Sequence, residues 1–253
     1  MACSFEFKGV SKSFCNGAAP NLVLDQLELE IGRGEFICLL GSSGSGKSTL
    51  LRIIAGLETP DSGGVFLNGE LLTGPNAKRV MVFQDFNQLF PWQTVRDNVI
   101  FPLRIQKRGS KRKLREIADQ YLAMVKLEGY GEYYPHQLSG GMKQKAAIAR
   151  ALALQPEVLL MDEPFGSLDA QTRQTLQQML LRVWEETGVT IVFVTHDIQE
   201  AVILADRIPI LTKSKHSITA VITNPLPRPR LPGTPEFAGV WQRVCQFLDN
   251  VES

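Results

Sequence analysis

Residues 36–56 limit what this chain can fold into more than any other stretch. Phe36-Ile37-Cys38-Leu39-Leu40 is a solid apolar run, the pattern of a strand buried on both faces, as in parallel sheets. It runs into Gly41-Ser42-Ser43-Gly44-Ser45-Gly46-Lys47-Ser48, which fits G-x-x-x-x-G-K-[ST]. Helix-forming residues 47–55 follow, with apolar Leu50, Leu51, Ile53 and Ile54, and Gly56 is a natural C-terminal cap. A Gly-rich turn between a buried strand and a helix aims backbone N–H groups inward beside the positive end of the helix dipole. Such a loop holds phosphates. Lys47 would reach the β- and γ-phosphates, the Ser48 hydroxyl would ligate Mg²⁺, and Thr49 would complete the nucleotide-binding loop.

The rest of the chain is organised around that unit. Phe5-Glu6-Phe7 and residues 23–31 alternate, Asn68-Gly69 is a hairpin signal, and residues 80–83 form a short strand ending at Gln84. Between 85 and 155 the period becomes helical. Leu114, Ile117, Ala118, Tyr121, Leu122 and Val125 share one helix face behind a Ser110 cap, and residues 142–154 form a second helix ended by Pro156. Strand patterns return at 158–161, 190–195 and 207–211, with helices at 169–186 and 197–205 between them, which implies a parallel sheet. Residues 224–235 hold five prolines and read as a linker to a last amphipathic helix carrying Phe237, Val240, Trp241, Val244 and Leu248.

Composition closes off several classes. The chain of 253 residues is 44% apolar and 21% charged, values of a folded globular protein. No run approaches the ~18 apolar residues of a membrane-spanning helix, and residues 1–20 lack a secretory pattern, so a cytoplasmic location is expected. Cys3, Cys15, Cys38 and Cys245 form no C-x-x-C pair, and His136, His196 and His216 are too few for a histidine metal cluster. A net charge of +1 argues against a general polyanion binder, although Lys107, Arg108, Lys111, Arg112, Lys113 and Arg115 crowd the start of one helix. A solvated charge run and a contact with anionic headgroups are both compatible with that cluster.

A second anchor narrows the phosphate chemistry. Val158-Leu159-Leu160-Met161 ends in Asp162-Glu163, where an aspartate leaving a buried strand holds Mg²⁺ through water and the adjacent glutamate polarises an attacking water. No N-K-x-D is present, and Asp61-Ser62-Gly63-Gly64 lies in a turn-forming stretch, so a guanine nucleotide is disfavoured.

The third element is Leu138-Ser139-Gly140-Gly141-Met142, and with it the chain resembles the ATP-binding cassette (ABC) ATPases, whose signature is L-S-G-G-Q. The resemblance implies an α/β P-loop NTPase fold: a RecA-like parallel sheet core, an antiparallel β subdomain and an inserted helical lobe. Residues 1–223 would form the ABC ATPase domain, with 1–84 and 156–223 as the catalytic core and 85–155 as the lobe. Residues 224–253 would form the linker and terminal helix. ATP and Mg²⁺ are the implied cofactors. In the family, Ser139, Gly140 and Gly141 would cap the γ-phosphate held by a second copy, so the chain would work as a head-to-tail homodimer. Met142 replaces the glutamine of the motif and leaves the backbone cap intact. Gln84 matches the family's Q-loop glutamine beside Mg²⁺ and water, Asp169 the D-loop, His196 the switch histidine on the γ-phosphate, and Phe14 the aromatic that stacks on adenine.

Three further stretches resemble the nitrate, sulfonate, taurine and bicarbonate importer branch. They are Phe90-Pro91-Trp92, residues 164–173, and Leu226-Pro227-Arg228-Pro229-Arg230. That branch implies two transmembrane permease subunits, an extracytoplasmic solute-binding protein, no nucleic acid partner and a peripheral place on the cytoplasmic face of the inner membrane. The rival expectations are a soluble ABC ATPase not tied to transport, and a nucleotide-binding scaffold without turnover. Intact Lys47, Asp162 and Glu163 disfavour the scaffold.

Overall fold

The computed structural model describes residues 3–15, 20–85 and 88–252. The chain divides into two compact units, residues 1–76 with 190–253, and residues 77–189.

In the first unit, β1 (Cys3–Cys15), β2 (Pro20–Gly32), β4 (Ser62–Leu67) and β5 (Glu70–Leu71) form an antiparallel sheet in the order β2-β1-β4-β5. Leu27, Leu29 and Ile31 alternate into its buried face, as a half-buried strand requires, and Leu24 joins them across an irregularity at Gln26, whose φ is 43°. Asn68 and Gly69 both take positive φ, 52° and 83°, the geometry a two-residue hairpin needs. The same unit carries β3 (Phe36–Leu40), β8 (Thr190–Thr195), β9 (Arg207–Thr212) and β10 (Ser217–Thr223). β3 is parallel to both β8 and β9, and β10 is antiparallel to β9. Every residue of β3 and β8 is buried, which is why β3 reads as an unbroken apolar run and β8 as Ile191 to Val194 between two threonines.

Helices α1 (Lys47–Ala55), α6 (Ile198–Leu204) and α7 (Pro235–Glu252) complete this unit. α7 buries Phe237, Val240 and Val244, each worth about 1.5–3 kcal/mol. The proline-rich residues 224–234 are tied to the end of α6. Asn224 Nδ2 donates to Val202 O and Ala205 O, and Arg230 reaches Val202 O, Ile203 O and Ala205 O. Arg230 is 7% exposed, and burial, followed by the like charge of Arg228, brings its pKa down to about 10, so it stays charged at neutral pH.

In the second unit, β6 (Arg79–Val82) and β7 (Val158–Asp162) pair in parallel. Its helices are α2 (Val95–Ile105), α3 (Lys111–Met124), α4 (Gly140–Leu152) and α5 (Ala170–Thr187). Each opens on a side-chain cap: Thr94, Ser110, Ser139 and Asp169 accept from Asp97, Lys113, Met142 and Thr172 N–H respectively. The basic residues at the start of α3 are exposed. Arg112 pairs with Glu116 one turn on at 3.2 Å, and Arg108 Nη1 donates to Leu154 O. Among the described residues, no helix is long and apolar enough to cross a membrane.

Candidate nucleotide site

In the first unit, the loop between β3 and α1 is built by close backbone approach. Gly46 has φ 97°, and a Cβ there would stand 2.8 Å from Leu24 Cδ2 and 2.9 Å from Val23 O. Gly41 packs so closely on the end of β9 that a Cβ would meet Leu211 O at 2.2 Å. Only glycine fits either position. Lys47 is 5% exposed, and its Nζ donates to Gly41 O at 2.7 Å and Ser42 O at 2.8 Å. The ammonium is thus folded over the loop that Ser43, Gly44 and Ser45 complete. Ser45 Oγ is buried with no hydrogen-bond partner among the described residues, and such a hydroxyl inside a loop of N–H groups suits an anion. Ser48 and Thr49 lie in the first turn of α1.

Parallel pairing brings His196 to this loop. Leu40 is in register with Thr195, so Gly41 and His196 leave neighbouring strand ends, one strand spacing of about 4.8 Å apart. Ligands of open α/β sheets bind outside these carboxyl ends. His196 is exposed, and the turn beneath it is fixed: Thr195 Oγ1 donates to buried Glu200 at 2.6 Å and accepts from Asp197 N. Phe14, at the end of β1, is half-buried, with Lys12 Nζ 5.3 Å from its ring centroid. Asp61 accepts from Ser13 N at 2.6 Å and from Lys12 Nζ, so it anchors a turn.

The second unit repeats the strand-end device. Val82 is in register with Met161, so Phe83-Gln84 and Asp162-Glu163 emerge side by side. Both Gln84 and Glu163 reach Gly166, where a built Cβ would lie 3.5 Å from Gln84 Nε2 and 3.9 Å from Glu163 Oε2. Glu163 takes φ 42°, an uncommon left-handed backbone for a residue with a side chain, and the turn closes through Gly166 N donating to Glu163 O. Strain of this kind gathers at functional sites. Within this unit Gln84 and Asp162 offer amide and carboxylate oxygens, and Ser48 of the first unit carries a hydroxyl, each a donor type that a hard cation such as Mg²⁺ accepts.

Ser139 is exposed at the start of α4, where Gly140 and Gly141 begin the helix. A Cβ on Gly141 would come within 2.5 Å of Thr172 Cγ2, so the starts of α4 and α5 touch there. Asp169 accepts from Thr172 N at 2.9 Å, and that bond, followed by the Thr172 hydroxyl, holds its carboxyl below the usual range. Ser139, Gly141, Met142, Lys145, Gln171 and Thr172 line a hollow of about 270 Å³, and burial pulls the Lys145 pKa down. Sequence reasoning passed over Gln88, Asn98 and Gln144. Asn98 is fully buried and clasps the loop before α2, accepting from Phe90 N and donating to Phe90 O, Gln93 O and Thr94 O. Its signal was Thr94 with Asp97 three residues on, a helix start. Trp92 on that loop is 71% exposed.

A P-loop fold with two strand-end clusters and a serine-glycine helix start defines an ATP-binding cassette, and sequence comparison agrees. The ABC transporter family model matches residues 24–166, and the chain belongs to that family. It is an ATP-hydrolysing cassette of the importer type. Among its relatives is the nitrate import ATP-binding protein NrtD of Synechocystis sp., 46% identical over 88% of this chain and 83% of the relative. The aliphatic sulfonates import ATP-binding protein SsuB of Bacillus cereus is 43% identical, covering 95% of this chain and 94% of its own. The solved dimeric cassette MJ0796, in a post-hydrolysis state bound to ADP and Pi, is 35% identical, with a TM-score of 0.75 over 87% of this chain and 98% of that one.

Proposed function

We propose that this chain couples ATP hydrolysis to uptake of a small anion such as nitrate, an aliphatic sulfonate, taurine or bicarbonate. The observation that carries the reading is the match of nearly the whole chain to nitrate and sulfonate import ATP-binding proteins. Two permease subunits and an extracytoplasmic solute-binding protein complete the assembly, with this subunit on the cytoplasmic face of the inner membrane. Residues 1–84 and 156–223 act as the catalytic core, 85–155 as the lobe that faces the permease, and 224–253 as an appended segment.

Within that assembly Phe14 stacks on adenine. Gly41 to Thr49 wrap the phosphates, and Lys47 neutralises the β- and γ-oxygens. Ser48, Gln84 and Asp162 would hold Mg²⁺, which when bound would supply charge neutralisation for the phosphoryl group. Glu163 accepts a proton from the attacking water, which Gln84 orients beside it, and His196 donates to a γ-phosphate oxygen. Ser139, Gly140 and Gly141 close the site of a second copy, with Asp169 crossing at the same contact. The exposure of Ser139 supports this: its Oγ accepts from Met142 N and so caps α4, and the start of a helix is where an anion is favoured.

Loss of uptake of one of these four solutes in a strain lacking the chain, restored by the intact gene, is the expected result. Unchanged uptake of all four would remove the anion assignment. A second expectation concerns the shared site. Ser139→Arg sets a long side chain where the partner's γ-phosphate seats, so turnover should vanish while each monomer still binds ATP. Normal hydrolysis by the reconstituted transporter would contradict a shared site.

A further inference from the structure

We propose that Gln88 is a positioning residue for hydrolysis, pinning the base of the Gln84 loop and tying it to the helix that begins at Ser139. The inference rests on the reading of Gln84 given above. β6 ends at Val82, so the next residue, Phe83, has left the strand that fixed the backbone before it. The Gln88 side chain supplies a substitute. Its Oε1 accepts from Phe83 N at 3.3 Å and its Nε2 donates to Phe83 O at 3.0 Å, so one amide imitates a strand partner. Phe83 immediately precedes Gln84, and holding both of its polar backbone groups fixes where the Gln84 side chain starts.

The same Nε2 also donates to Gln144 Oε1 at 3.3 Å. Gln144 is fully buried on α4, whose neighbouring Ala146, Ala147 and Ile148 are buried apolar residues. Burying an amide there is costly unless it makes hydrogen bonds, and Gln144 Nε2 has no partner among the described residues. A leucine would fill the space at lower cost, so the glutamine is retained for its bond to Gln88. α4 grips the residue a second time through Arg150 Nη1, which donates to Gln88 O at 2.8 Å, with the guanidinium carbon 5.8 Å from the Phe90 ring centroid. α4 is one uninterrupted helix from Gly140 to Leu152, capped by Ser139. A shift of its N-terminus is therefore carried to Gln88, to Phe83 and to Gln84 as one body. The contact that closes a partner's site and the glutamine beside Glu163 are mechanically linked within one chain.

Gln88→Leu keeps the volume and removes the three hydrogen bonds of the amide. In the full chain it should lower kcat about tenfold or more, since small misplacements of positioning groups are costly. The Mg²⁺ concentration for half-maximal rate should rise, while KM for ATP stays within about twofold because the phosphate loop is untouched. Amide exchange at Phe83 should quicken without nucleotide present. Gln88→Ala should give the same signature, which keeps the test available if leucine is not accommodated. Because Gln88 acts through Gln84, the Gln84→Ala/Gln88→Leu double variant should be no slower than Gln84→Ala alone. Wild-type kcat and Mg²⁺ dependence in the Gln88 variants, or losses that multiply in the double variant, would overturn the proposal. An active Gln84→Ala would overturn both this inference and the reading of Gln84, whereas an impaired Gln84→Ala beside an intact Gln88→Leu would overturn this inference alone.

Discussion

Glu163→Gln should hydrolyse ATP about 10²–10⁴-fold more slowly than the unaltered chain, the range a general base contributes. The substitution keeps size and hydrogen-bonding capacity and removes only the ability to take a proton. Its surroundings make the effect specific. Glu163 emerges beside Gln84 from paired strand ends, and both side chains reach Gly166. The left-handed backbone at Glu163 is set by the turn that closes on Gly166, and glutamine tolerates it as glutamate does. A phosphate-release assay at saturating Mg-ATP reads the change. A variant within about tenfold of the original rate would mean that another group activates the water.

The parts of this site that were legible in the sequence are those whose chemistry demands a fixed spacing. Gly41 to Ser48 sit between a buried strand and a helix because close backbone approach at Gly41 and Gly46 admits no side chain, and that requirement is written in the letters. The same holds for β3, β7 and β8, whose burial on both faces leaves solid apolar runs. α2 was not read because Pro102 sits inside it and interrupts the helical pattern, although the Thr94 cap marks its start. β10 was missed because its burial is half-hearted: only Ile222 is fully buried, so no alternation stands out. Four prolines masked the anchors of 224–234, since Asn224, Arg228 and Arg230 act through backbone carbonyls at the end of α6 that have no sequence signature. Gln88 and Gln144 were invisible for a related reason. A glutamine bound to backbone atoms and a glutamine buried on an alanine-rich helix face look like ordinary surface residues until the fold joins them.

Lys47→Ala should weaken ATP binding about 100-fold or more, because charge-assisted hydrogen bonds to two phosphates are removed together. Lys47 is the buried ammonium of the loop, held by Gly41 O and Ser42 O at the point where phosphates approach the start of α1. Alanine is an excellent helix former and leaves the first turn of α1 intact, so the loss should fall on the nucleotide and not on the fold. Titration with a fluorescent ATP analogue, beside a thermal melt without nucleotide, separates the two. Unchanged affinity would remove the phosphate-loop assignment, and with it the role of His196 at a γ-phosphate.

The proposed head-to-tail closure would join these two residues, with one copy's Lys47 and Glu163 acting on a nucleotide that the other copy's Ser139 would cap. The Glu163→Gln chain keeps every binding group while its hydrolysis is slowed, so ATP should hold two copies together for as long as it stays uncleaved. Sedimentation velocity of that variant, with and without Mg-ATP, should show a monomer without nucleotide and a dimer with it, and adding Ser139→Arg should return the monomer although ATP is still bound. A Glu163→Gln chain that stays monomeric in saturating Mg-ATP, or a dimer that survives Ser139→Arg, would contradict a site shared between two copies.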